Sequence, residues 1–208
     1  FHAWERKLAN VTTDRVVREF DWGLDWIDVN ASSGSAQDSL RKWSTNIMVD
    51  TDRFFYTPPT NQYQLRGNIL TFPSHLQTPH PENNTVHARY FAAVQGTKHR
   101  RAVVVLPQWN ADPDGHIALS RLIARLGISS LRLSLPYHDQ RMPPELHRAD
   151  YIVSANLGRT LQVCRQAVLD ARRAVHWLRQ QGYDRIGILG TSLGSCLAML
   201  TAAHEPLI

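Results

Sequence analysis

The sequence predicts an α/β protein: a mostly parallel β-sheet covered by helices on both faces and preceded by a helical arm. Three observations carry that prediction. From residue 101 onward, short β-branched runs alternate with longer helical patterns, an order that calls for a parallel sheet joined by right-handed crossovers. "RAVVVLP" and "DRIGILG" are apolar without polar alternation, as expected of strands buried on both faces. Between the second of these and an apolar helix lies Gly190-Thr191-Ser192-Leu193-Gly194, a G-x-S-x-G.

With 208 residues and 43% hydrophobic content, the chain can build one domain with a proper core and an appended arm. Residues 1–60 form the arm. Trp4, Trp22, Trp26 and Trp43 lie there in segments such as "VTTDRVVREFDWGLDWI", where helix-like spacing breaks at Gly23. One or two short helices that pack aromatic side chains on the main domain account for this, with "NASSGSAQDS" as a loop.

Residues 61–208 form the main domain. "QLRGNILTF" and "NTVHARYFAAV" read as two neighbouring antiparallel strands, separated by the Pro- and Asn-rich "PSHLQTPHPEN". After "RAVVVLP" comes a helix with Ile117, Leu119, Leu122, Ile123 and Leu126 as its apolar stripe and Gly127 as its C-terminal cap. "ISSLRLSLP" is the next strand. A long polar connection then leads to a helix whose Leu157, Leu161, Cys164, Val168, Ala171, Val175 and Leu178 share one face. Gly182 ends that helix, "DRIGILG" forms a further buried strand, and "SLGSCLAMLTAA" a further helix.

The net charge is +5, but the 20 Arg and 3 Lys are spread along the chain with acids between them. Without a basic run interleaved with aromatics, no nucleic-acid partner is expected. Cys164 and Cys196 fall inside helices and read as buried free thiols, since two cysteines make neither a disulfide framework nor a metal cluster. No apolar run approaches the roughly 20 residues of a membrane span. No metal and no cofactor is expected. The first residue is Phe and the last residues follow a helical pattern, so the chain reads as a fragment cut at both ends, in which a signal peptide escapes view. A cytoplasmic compartment is favoured over others, and the oligomeric state is open.

Ligands of such a sheet bind beyond the carboxyl ends of its strands, which is where Ser192 falls. Gly190 and Gly194 lack side chains where strand and helix backbones crowd, so Ser192 can take a strained turn and project its hydroxyl. The backbone N–H of Leu193 opens the following helix and is the first candidate to stabilise an oxyanion, a contribution of about 3 to 4 kcal/mol for a preorganised donor.

With these residues in place the chain resembles the alpha/beta-hydrolase superfamily, from about residue 63 to 208, through the two leading strands, "RAVVVLPQWN", "SSLRLSLPYHDQRMP" and "GTSLG". The "LPYHDQRMP" loop and the aromatic-rich arm are similar to the abhydrolase domain-containing 18-like branch. The resemblance implies an alpha/beta-hydrolase fold, incomplete after the helix that follows Ser192. It also implies a second oxyanion donor in the loop after "RAVVVLP", where the usual His-Gly pair is replaced by Pro107-Gln108. Trp109 N–H is the first choice and Gln108 N–H the second. In the superfamily the acid and the histidine follow the nucleophile in the chain, so both are expected beyond Ile208, and the fragment alone is expected to be inactive. His138, Asp139 and Arg141, in the loop after a strand's carboxyl end, are candidates to line the substrate pocket or bind an anionic group. The other histidines read as surface or packing residues. "DPDG" at 112–115 fits a helix N-terminus rather than a calcium loop.

The function expected is that of an esterase-like serine hydrolase acting on a small-molecule or lipid-like acyl substrate. A non-catalytic binding protein of the same fold is the alternative. Nucleotide binding is disfavoured because G-x-G-x-x-G is not met.

Overall fold

The computed structural model describes residues 18–27, 34–93 and 99–208; Trp4 and residues 30–33 of the expected loop lie outside them. Six strands form one sheet: β1 (Gln64–Arg66), β2 (Ile69–Pro73), β3 (Thr85–Phe91), β4 (Arg101–Leu106), β5 (Ser129–Leu133) and β6 (Arg185–Gly190). Their order is β1-β2-β3-β5-β4-β6. The first three pair antiparallel, as does β3 with β5, whereas β4 pairs parallel with both β5 and β6. The alternation from residue 101 predicts the parallel β5-β4-β6 part, and the antiparallel leading strands make the whole sheet a mixed one.

"QLRGNILTF" is a hairpin rather than one strand. Gly67, at φ 60°, is the first of two loop residues between Arg66 and Ile69, the position where a tight primed turn needs glycine. The helices are α1 (Ala36–Val49), α2 (Thr51–Phe54), α3 (Ile117–Arg125), α4 (Leu157–Gln180) and α5 (Leu193–His204). Helix α3 packs on β3 and β5, while α4 packs on β4, β5 and β6 and against α5.

Two expected helix faces are corrected. In α3 the buried residues are Ile117, Ser120 and Ala124, and Leu122 and Leu126 are exposed. Small side chains let this short helix approach the sheet, so its largest residues point away. Helix α4 is buried on nearly all sides between Gln166 and Leu178 rather than on one face, and Leu161 of the expected stripe is exposed. Gly127 and Gly182 end their helices at φ 82° and 83°, as left-handed caps should. Strand β6 has Ile186 buried and Gly187 to Gly190 half-buried. That partial burial corrects the expectation of a strand buried on both faces, and β6 pairs with β4 alone among the described residues. Cys164 is half-buried and Cys196 exposed, so only the former approaches the expected buried thiol.

In the arm, Ser35 caps α1 by accepting from Asp38 N–H, so the second half of the expected loop is helix. Trp43 meets Phe54 edge-on, and Phe54 and Trp26 pack against the core. The arm also closes the N-terminus of α4: Asp21 O and Trp22 O accept from the N–H groups of Leu157 and Gly158, donors that a helix leaves without internal partners.

Candidate active site

The strand-to-helix turn after β6 is built around two glycines. A Cβ on Gly190 would lie 2.1 Å from Gly194 O, and one on Gly194 would lie 2.3 Å from Leu106 O and 2.5 Å from Pro107 O. Both approaches are far inside van der Waals contact, so the turn closes only without those side chains. Between them Ser192 has φ 50° and ψ −120°, a conformation that costs a non-glycine residue of order 1–3 kcal/mol. Ser192 is exposed, and its hydroxyl bonds to no group among the described residues.

Open backbone donors occur in both segments that meet at Gly194, the turn itself and the loop after β4. Gly194 N–H and Ser195 N–H donate to Thr191 O and Ser192 O, but Leu193 N–H, one residue earlier, meets no acceptor among the described residues. In the loop after β4, the N–H groups of Gln108 and Trp109 are likewise without a backbone acceptor there. That loop is held from outside. Asn110, at φ 52°, donates from its N–H to His138 Nε2 at 2.8 Å and accepts from Ala149 N–H at 3.1 Å. Trp109 Nε1–H donates to Ala149 O at 2.9 Å, and the Arg148 guanidinium lies 4.9 Å from the Trp109 ring centroid. Trp109 therefore packs against the connection between β5 and α4.

His116 and Thr191 join this cluster, although the sequence marked neither. His116 Nε2 is 2.9 Å from Thr191 Oγ1, and Thr191 Oγ1 is 3.3 Å from Gln108 Oε1. A hydroxyl has one proton and an amide oxygen only accepts, so Thr191 donates to Gln108 and His116 donates to Thr191. The histidine is thus the Nε2–H tautomer, with a buried and unpartnered Nδ1. Burial, and then the Arg132 charge, lower its pKa and keep it neutral. No sequence signal pointed to His116, because only the fold brings it to Thr191.

The 138–141 segment plays a different part from the one expected. His138 is buried; its Nδ1–H donates to Pro136 O at 2.9 Å while Nε2 accepts from Asn110. With both nitrogens committed and its pKa lowered chiefly by burial, it has no lone pair for a substrate or for Ser192. Arg141 is fully buried and spends its donors on Asn83 O, Ser134 O and Asp170. Neither offers a group to an anionic ligand. Asp139 lines a cavity of about 230 Å³ that Ser192 does not line. Among the described residues no group of three or more His, Cys, Asp or Glu could hold a metal ion.

The family described as alpha/beta hydrolase domain containing 18 matches residues 71–207. The chain belongs to that family. The match begins in β2 and runs through α5, so it takes in the whole Ser192 turn. Among solved structures the chain is similar to a putative acetyl xylan esterase from Bacteroides fragilis, at 13% identity and TM-score 0.57, over 99% of this chain and 57% of that one. It is also similar to the alpha/beta hydrolase GrgF from Penicillium sp. sh18, at 16% identity and TM-score 0.50, over 69% and 44%. The chain thus spans about half the length of these structures, and the likeness is one of fold. No helix among the described residues is long and apolar enough to cross a membrane.

Proposed function

We propose that this member of the alpha/beta hydrolase domain containing 18 family is a serine hydrolase that cleaves an ester or related acyl bond. Ser192 attacks the carbonyl, and the N–H of Leu193, with that of Trp109 or Gln108, receives the negative charge on the oxygen. A histidine and an acid from beyond Ile208 activate the hydroxyl, because no base among the described residues reaches it. Without them residues 1–208 alone would be inactive, since members of a triad act as a unit. The substrate is a small-molecule or lipid-like acyl compound.

One observation carries this reading: the strained backbone of Ser192 (φ 50°, ψ −120°), with its hydroxyl unbonded among the described residues and the next N–H in the chain, that of Leu193, without an acceptor there. A fold that used Ser192 only for packing would have no reason to retain the strain. The test is labelling of the full-length protein with a fluorophosphonate probe. Labelling of the wild type and none of Ser192→Ala supports the hydrolase. A folded, unlabelled wild type supports the rival reading, a binding protein of the same fold in which no base serves Ser192.

A further inference from the structure

Gln108 enters the Ser192 cluster with one end of its side-chain amide fixed and the other open. Its Oε1 lies 3.3 Å from Thr191 Oγ1, on the residue directly before Ser192. Its loop meets the same turn through the backbone: Gly194 has no room for a Cβ beside Pro107 O, and Thr191 N–H donates to Leu106 O at 3.2 Å. Gln108 is half-buried, and its Nε2 bonds to no described residue and keeps surface open to solvent. The amide nitrogen is thus a free donor held at a point set by Thr191.

Which end of the amide stands open follows from the proton order along His116, Thr191 and Gln108. A hydroxyl has one proton and can pass it either way. If Gln108 donated to Thr191, Thr191 would donate to His116 Nε2, and the imidazole proton would sit on Nδ1. That nitrogen is buried without a partner, and a buried N–H with no acceptor is the rarer and costlier orphan. The proton therefore stays on Nε2, 2.9 Å from Thr191 Oγ1, and Thr191 donates to Gln108 Oε1. The relay is itself anchored. Arg132, buried in β5, donates from Nε to Gly115 O and from Nη2 to Asp112 O, both at 3.3 Å, which fixes the turn leading into His116.

We propose that the Gln108 side-chain amide is a catalytic residue: its Nε2–H donates to the substrate oxygen on which charge develops when Ser192 attacks, beside the backbone N–H of Leu193. Thr191 and His116 are positioning residues that hold the amide in the donating orientation. A donor held in this way needs no reorientation as the charge forms, whereas a freely rotating glutamine would present oxygen and nitrogen alike. The inference rests on the hydrolase reading of Ser192 and adds a side-chain group to the backbone donors named there.

The second-order rate constant for labelling of the full-length protein by a fluorophosphonate, whose phosphoryl oxygen takes the place of the charged oxygen, reads the donor; urea midpoints check that each variant is folded. Gln108→Met keeps the length without the amide and is expected to slow labelling by about tenfold or more. Gln108→Glu keeps an oxygen for Thr191 but sets a carboxylate where the N–H stood. Its rate at pH 7 is expected below that of Gln108→Met, and its ratio to wild type should rise by about fivefold or more between pH 7 and pH 5, as the carboxyl takes up a proton it can donate. His116→Asn tolerates the left-handed backbone but is too short to reach Thr191; it should slow labelling of the otherwise wild-type protein and add nothing to Gln108→Met. A folded Gln108→Met labelled at the wild-type rate, or a pH-independent ratio for Gln108→Glu, would overturn the donor. Equal slowing by His116→Asn in both backgrounds would overturn the relay. A folded wild type that resists labelling sinks the hydrolase reading and this role with it, whereas a labelled wild type indifferent to Gln108 sinks this role alone.

Discussion

His116 Nε2 lies 2.9 Å from Thr191 Oγ1, joining the residue before α3 to the residue before Ser192. Through the Thr191 hydroxyl the contact extends to Gln108 Oε1, so one threonine ties the loop after β4 to the turn after β6. Thr191→Val keeps the shape but leaves His116 Nε2–H and Gln108 Oε1 without a partner, at a cost of about 1–3 kcal/mol. Urea unfolding of the full-length protein reads that loss, and fluorophosphonate labelling is expected to slow as Gln108 is released. Thr191→Ser retains the hydroxyl and should match the wild type in both; a serine variant as impaired as valine would show that the methyl, not the hydrogen bond, matters.

Ser192 supports a trade between stability and chemistry. Its φ 50° and ψ −120° suit glycine, so Ser192→Gly relieves about 1–3 kcal/mol of strain and costs about 0.5–1 kcal/mol in unfolded-chain entropy. A net gain of about 1 kcal/mol is expected, together with complete loss of labelling. Ser192→Ala loses labelling without that gain, because a Cβ remains. Equal stability of the two variants would mean the turn is not strained.

The neighbouring Gly194 leaves no such latitude. A Cβ there meets the carbonyl oxygens of Leu106 and Pro107, both backbone atoms of β4 and its loop, so Gly194→Ala has to part α5 from the sheet. The expected cost is about 3 kcal/mol, measured as a lower urea midpoint at unchanged slope. Labelling should fall with it, because the same shift moves Leu193 N–H.

Local signals explain what the sequence made legible. β4, β5, α4 and the Gly190/Gly194 pair follow from strand-length apolar runs, a long helical period and glycines where backbones meet. What escaped depends on distant partners. The Gly67 turn splits an apolar run that periodicity alone joins. The inward face of α3 is set by how closely Ser120 and Ala124 approach the sheet, which no stripe of leucines reveals. His138 reads as a polar loop residue, yet hydrogen bonds from Asn110 N–H and to Pro136 O make it an internal brace. His116 needed Thr191, 75 positions away, to acquire a role.

Beneath the sheet, Arg141 and Asp170 form a fully buried ion pair at 2.8 Å, with Ser74 donating to the other carboxylate oxygen. Removing one partner strands the other charge, so Asp170→Ala is expected to cost about 3–5 kcal/mol. The double change Arg141→Met, Asp170→Leu removes both charges and should recover most of that loss. If the double variant is as unstable as the single one, the pair's worth lies in its additional bonds to Asn83 and Ser134 rather than in compensating charge.

Acid should destabilise the fold through its histidines before its carboxylates respond. His75, His87, His116 and His138 all have lowered pKa values, burial being the first cause for each. Above their unfolded value of 6.5 both states are neutral and the shifts contribute nothing. As pH falls through 6.5 the unfolded chain takes up protons that the folded one refuses, so stability drops by up to about 1.4 kcal/mol per pH unit for each such histidine. The drop continues until the lowered folded pKa is reached. At Glu205 burial acts upward, but the bonds from His176 and Arg172 outweigh it and lower the pKa from 4.5. Its own loss of stability therefore comes only below that value, outside the window from 5.5 to 6.5. His138 is the most buried of the four. His138→Gln removes its titration while keeping an oxygen for Asn110 N–H, and should flatten the slope of unfolding free energy between pH 5.5 and 6.5 by up to about 1 kcal/mol per unit, since the unfolded histidine is only partly protonated there. A variant slope equal to the wild-type slope would show that His138 takes up its proton in the folded state, against the geometry in which Asn110 N–H occupies its only lone pair.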